Sequence, residues 1–129
     1  MPAEFRIDPA RRCVYTRGWG VLTFADCEGH MLRLLADKAF EPSYAQLADF
    51  REVTEVPITH SEIYQLAARK VFAPDSRRAF VTRTPVQYGL CRMFQTYRSA
   101  YAEVGLQVFS DMDEALKWLE KEDAEEAAG

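Results

Sequence analysis

Ala79-Phe80-Val81-Thr82-Arg83-Thr84-Pro85-Val86-Gln87 decides how this chain is read. Its first four residues are short, bulky and β-prone, as in a buried strand. Its last four open a helix. Thr84 is a residue type that caps an α-helix, Pro85 suits the first helical position, and Gln87 stands where a capping box needs its second partner. Val86, Leu90, Met93, Phe94, Tyr97 and Tyr101 then recur at helical spacing. Gly105 reads as a C-terminal stop. Leu106 to Phe109 is the next strand, and Ser110-Asp111 caps a last helix with Met112, Ala115, Leu116 and Leu119 as its buried face.

The same alternation continues upstream. Thr59-His60-Ser61-Glu62 is a capping box, followed by the stripe Ile63, Leu66, Ala67 and Val71. Pro74-Asp75-Ser76 is a loop. Gln46 to Phe50 reads as a strand whose Leu47, Ala48 and Phe50 suit burial on both faces. A first helix starts at Thr23, with Asp26 as partner and Phe24, Cys27, Met31, Leu34 and Leu35 on one face; Phe40-Glu41-Pro42-Ser43 ends that segment. Phe5 to Ile7 and Cys13 to Thr16, joined by Asp8-Pro9-Ala10-Arg11, form an antiparallel hairpin, and Gly18-Trp19-Gly20 breaks or bulges the chain beyond it. The order is β-β-α-β-α-β-α-β-α. Strands alternating with helices imply a mostly parallel sheet of about five strands, with the hairpin adding an antiparallel edge and four helices covering it. The expectation is one α/β domain over residues 1–122 and an acidic tail over 123–129.

Composition narrows the function. At 129 residues the chain buries roughly two-thirds of its unfolded surface as a single domain. A net charge of −4 argues against a nucleic-acid partner, because phosphate neutralisation needs clustered positive charge. The three cysteines, Cys13, Cys27 and Cys91, are widely spaced, and His30 and His60 stand apart. No CxxC or Cys/His ligand pattern exists, so no metal and no cofactor are expected, and the thiols are read as free in a reducing compartment. The N-terminus lacks the basic and apolar regions of a signal peptide, and no apolar run approaches the roughly 20 residues of a membrane span. A cytoplasmic protein without membrane insertion is expected.

Three segments resemble SpoIIAA-like proteins. They are the strand and turn Gln46-Leu47-Ala48-Asp49-Phe50-Arg51-Glu52-Val53-Thr54-Glu55-Val56, the helix start Tyr88-Gly89-Leu90-Cys91-Arg92-Met93-Phe94, and the close from Val108-Phe109-Ser110-Asp111 to Trp118-Leu119. The resemblance implies a fold similar to sulfate-transporter and anti-sigma-factor-antagonist domains, and to the lipid-binding Sec14-like fold with which these are grouped. In anti-sigma antagonists a serine of an Asp-Ser-x-Gly motif at the start of the second helix is phosphorylated. The matching stretch, Val56-Pro57-Ile58-Thr59-His60-Ser61, keeps hydroxyls at a helix start but lacks that motif.

Candidate sites follow. Thr59 and Ser61 are candidate phosphosites, since a phosphate there would meet free amides and the positive end of the helix dipole; otherwise Thr59 caps and Ser61 is a polar first-turn residue. Arg51 and Arg83 each follow a strand in this reading, on the edge where parallel sheets gather ligands, and would bind an anion or partner. Alternatively they are solvated or paired with Asp49 and Glu52. His60 occupies a place suited to a general base, but no nucleophile and orienting carboxylate accompany it. Asp49 would bind a ligand or the turn amides that follow it. The stripe Met93, Phe94, Tyr97 and Tyr101 is core, a partner or homodimer surface, or the wall of a cavity.

The chain therefore reads as a non-catalytic SpoIIAA-like interaction or regulatory module, with an unidentified protein partner. The alternative is a carrier or sensor of a small apolar or anionic ligand. An enclosed cavity lined by Met93, Phe94 and Tyr97 would favour the carrier, and a solid core the interaction module.

Overall fold

The computed structural model describes residues 2–128, and the side chains of residues 2–120. In chain order the elements are β1 Ala3–Asp8, β2 Cys13–Val21, α1 Phe24–Ala36, β3 Ala45–Glu55, α2 His60–Ala67, β4 Arg78–Val81, α3 Pro85–Ser99, β5 Leu106–Phe109 and α4 Met112–Ala128. The strands lie side by side in that same order. β1 and β2 pair antiparallel; β2 with β3, β3 with β4 and β4 with β5 pair parallel. The side chains of the expected acidic tail, 123–129, lie outside the described residues.

Because strand side chains alternate, register decides what each face carries. Ala48, Phe80 and Leu106 face a cluster with α2 and α3, and Val14 packs with Leu34 of α1. Leu47, Ala79 and Val81 face the other way, onto Ala115 of α4 with Trp118 and Leu119 beside it. So α1, α2 and α3 cover one face, and α4 covers the other. All four residues of β4 are buried, as expected for a parallel strand sandwiched by helices. Leu116, placed on the buried face of α4 by spacing, is 38% exposed.

The three capping boxes at Thr23/Asp26, Thr59/Glu62 and Thr84/Gln87 are formed. β3 differs from expectation: it runs on past Phe50 to Glu55. The second half of β2 supplies its ladder, pairing Trp19 with Glu52, Gly20 with Val53 and Val21 with Glu55. Register slips between Arg17 and Trp19 and between Gly20 and Val21, leaving extra residues on β3, so the bulges lie in β3, and the Gly18-Trp19-Gly20 stretch, expected to break or bulge the chain, runs on as continuous strand. Gly20 takes a φ of +60°, which suits glycine.

Gly105 is not the stop of α3. That helix ends at Ser99, and Ala102 adopts the left-handed φ of 65°. Gly105 is required instead by close packing, since a Cβ there would come within 2.0 Å of the Ser76 carbonyl oxygen.

Candidate functional site

A polar row crosses the sheet on the face under α1, α2 and α3. Gln46 of β3 stands in register with Arg78 of β4, and Thr16 lies on the same face of β2. Gln46 Nε2 donates to Thr16 Oγ1 at 2.9 Å, and Arg78 Nε donates to Gln46 Oε1 at 3.0 Å. Thr16 Oγ1 also bonds His30 Nε2 of α1 at 3.2 Å. Arg78 Nη1 donates to Glu103 at 2.9 and 3.1 Å, and Arg98 Nε donates to the same carboxylate at 2.8 Å. Arg98 Nη1 reaches back to the Ala67 carbonyl at 2.7 Å, closing the end of α2 onto α3. All six residues are buried. The Arg78 guanidinium also lies over Phe72, 4.4 Å from the ring centroid.

Above this row the core does not close. A cavity of about 140 Å³ lies between the sheet and the three helices. Its apolar wall includes Leu22, Met31, Phe50, Val53, Ile63, Leu66, Leu90 and Phe94, and its polar wall Thr16, His30, Gln46, Arg78 and Gln87. Gln87 serves twice: its Oε1 accepts from the Arg83 amide at 2.8 Å, and its Nε2 donates to the Val53 carbonyl at 2.7 Å.

Burial sets the electrostatics. Desolvation, helped by Arg33 and Arg78, pushes His30 down to about 4, so the imidazole is neutral at pH 7. Desolvation also draws the Arg78 guanidinium below its ordinary value, against the opposing pull of Glu103. Cys27 of α1 and Cys91 of α3 line the same cavity as free thiols. Burial pushes both up to about 12.

The wall differs from the expected one. Met93 and Tyr97 do not line the cavity; Leu90, Cys91 and Phe94 do. The inward positions of α3 are Gln87, Phe94 and Arg98, while Val86 is 70% exposed, Tyr101 lies beyond the helix, and Tyr97 packs edge-on against Tyr64 of α2. The aromatic row was the more conspicuous pattern, and polar residues at two inward positions concealed the true stripe. His30 had the same effect in α1, where Leu35 is exposed.

The residues singled out beforehand lie elsewhere. Arg51 does not follow β3 but sits within it, and its guanidinium makes two 2.9 Å bonds to Asp49. Asp49 also accepts from the Arg51 amide at 3.0 Å. Asp49 alternates with Leu47 onto the face that α4 covers, so this pair lies on the α4 side of the sheet. Thr59, His60 and Ser61 are exposed at the start of α2 on the opposite side, where Thr59 Oγ1 accepts the Glu62 amide at 3.1 Å. Arg83 is exposed just before α3. Among the described residues no hydrogen bond or ion pair links any of Arg51, Thr59, His60, Ser61 and Arg83 to another of them. Among the described residues there is also no group of three or more His, Cys, Asp or Glu side chains placed to hold a metal, and no helix is long and apolar enough to cross a membrane.

The architecture matches a solved structure. An uncharacterised protein of the DUF3478 family from Shewanella loihica PV-4, described as having a SpoIIAA-like fold, superposes with a TM-score of 0.58 at 21% identity, over 91% of this chain and 93% of that one. The chain has a SpoIIAA-like fold. No family model and no curated protein matches the sequence. Within this SpoIIAA-like fold, the residues missed by sequence reasoning are Thr16, His30, Gln46, Arg78, Arg98 and Glu103. Two signals were present: Arg98 falls four residues after Phe94 in the helical stripe, and Arg78 directly precedes the apolar run Ala79-Phe80-Val81.

Proposed function

We propose that this SpoIIAA-like domain is a non-catalytic binder that holds a small, mostly apolar molecule between its sheet and α1, α2 and α3, as a carrier or sensor. The cavity carries this reading. Apolar cavities of about 150 Å³ stay dry and admit a benzene-sized molecule, and the cavity here is about 140 Å³. The test is ligand-observed NMR with toluene, repeated on Val56→Phe, which adds bulk at the cavity wall. Saturable binding that the substitution abolishes supports the reading; no binding to the wild type removes it.

A second reading, a protein-interaction or regulatory module, is supported by the exposed side chains Tyr64 on α2 and Val86 and Tyr88 on α3, which are 54%, 70% and 36% exposed. Aromatic side chains are enriched at protein–protein interfaces relative to the rest of the surface. Crosslinking in host lysate with wild type and Tyr64→Glu/Val86→Glu tests it: a partner lost only in the variant supports an interface there, and unchanged crosslinks remove it.

A further inference from the structure

The cavity wall contains a charge that the described residues do not balance. Arg78 and Arg98 share one carboxylate, Glu103, and the neutral His30 adds nothing to either side. Among the described residues, two guanidiniums against one carboxylate leave one positive charge in the interior of the domain. A buried charge is costly to leave uncompensated, and an anion in contact with it offsets that cost. Arg98 is turned away from the cavity, spending its donors on Glu103 and the Ala67 and Arg69 carbonyls. Arg78 is the cationic residue of the cavity wall. It is 5% exposed, and its Nε and Nη1 are taken by Gln46 and Glu103. Its Nη2 has no hydrogen-bond partner among the described residues. A guanidinium edge with a vacant donor, in a wall that is otherwise mostly apolar, matches one carboxylate attached to a hydrocarbon group.

We propose that the cavity takes a small apolar monocarboxylate of about benzoate or hexanoate size, its carboxylate on Arg78 Nη2 and its hydrocarbon against Ile63, Leu66, Leu90 and Phe94. This rests on the interior-binding reading above and names the ligand's chemistry. The apolar wall disfavours an inorganic anion, which would leave most of its oxygens facing carbon. The volume of about 140 Å³ disfavours a long acyl chain, which is larger than that. Gln46 and Glu103 hold the guanidinium from two sides, so the site is pre-organised and the acid does not have to order it.

The experiment is a set of titrations at pH 7, followed by calorimetry and ligand-observed NMR, of benzoate, benzamide, toluene and inorganic phosphate into the full chain. Benzoate and benzamide have nearly the same shape and differ in charge. Benzoate is expected to bind about tenfold or more tightly than benzamide, because the ion-paired hydrogen bond forms away from water. In Arg78→Met, which keeps most of the apolar stem, that preference is expected to vanish while toluene binding persists. If this variant does not fold, the acid and amide comparison on the wild type decides alone. Toluene and benzamide binding as well as benzoate would overturn the carboxylate assignment and leave the interior-binding reading standing. Phosphate binding in place of benzoate would also overturn it. A preference for benzoate that survives in folded Arg78→Met would remove Arg78 from the site and overturn the proposal. Failure of benzoate, benzamide and toluene alike would overturn both readings.

Discussion

Glu103 meets Arg78 across 25 residues of chain, with a carboxylate oxygen 2.9 Å from Arg78 Nη1 and its side chain wholly shielded from solvent. The same carboxylate takes the Nε of Arg98. One acid from the loop after α3 thus ties β4 and α3 together beneath the cavity. Breaking a buried ion pair by removing one partner leaves a bare charge behind, and typically costs about 3–5 kcal/mol. Glu103→Gln should lose stability of that order in urea unfolding. A loss below about 1 kcal/mol, the range of exposed pairs, would show that the cluster is hydrated.

His30 makes stability depend on pH. Its folded value is depressed from 6.5 to about 4, so the unfolded chain binds the proton more readily. Stability from this residue is complete above pH 6.5 and is lost as pH falls from 6.5 towards 4, by about 3 kcal/mol in all. His30→Gln should flatten the acid limb between those values in equilibrium unfolding. An unchanged limb would mean that His30 is protonated inside the fold.

Gly105 and Ala102 should respond in opposite senses. Gly105→Ala drives a methyl into the Ser76 carbonyl, 2.0 Å from where its carbon would stand, and should cost about 1–3 kcal/mol as overpacking does. Ala102→Gly relieves a left-handed backbone with φ 65° and should raise stability by a few tenths to about 1 kcal/mol. Thermal denaturation of the two variants checks both, and a stabilised Gly105→Ala would show that the close approach is absent.

Cys27 and Cys91 should resist alkylation in the folded protein. With both thiols pushed to about 12, almost no thiolate is present at pH 8. Iodoacetamide labelling followed by mass spectrometry should modify neither residue in native protein, and all three cysteines in urea. Rapid native labelling of either would show that the cavity wall opens readily.

Phe94 stacks on Phe80, with ring centroids 5.8 Å apart, and is 8% exposed. Phe94→Ala should cost about 3–5 kcal/mol, as large-to-small core changes do. The same substitution enlarges the cavity, so a ligand bigger than toluene should gain affinity relative to toluene. Unfolding free energies and NMR titrations together separate the two effects.

The sequence by itself determined the elements and their order. Thr23, Thr59 and Thr84, each with an acid or amide three residues on, fixed three helix starts, because capping depends only on neighbouring residues. The bulky run Ala79-Phe80-Val81 marked the inner strand, and alternation of strands with helices set the parallel sheet. The resemblance of Gln46–Val56 and the segments after it pointed to the fold now observed. What only the tertiary structure decided is which residues share a face. Thr16, Gln46 and Arg78 belong to three strands, and register alone brings them into one row. Glu103 joins them from a loop, and Arg98 and His30 from helices whose inward stripe they occupy as polar residues. A pattern search that equates inward with apolar passes over such positions, since each is stabilised by a partner distant in sequence. The continuation of β3 to Glu55 was hidden for the same reason: its ladder comes from the second half of β2, and the polar run Arg51-Glu52 has no strand signature without that partner. Arg51 therefore went to a sheet position paired with Asp49, and the cavity, which no single segment encodes, arose where three helices meet one face of the sheet.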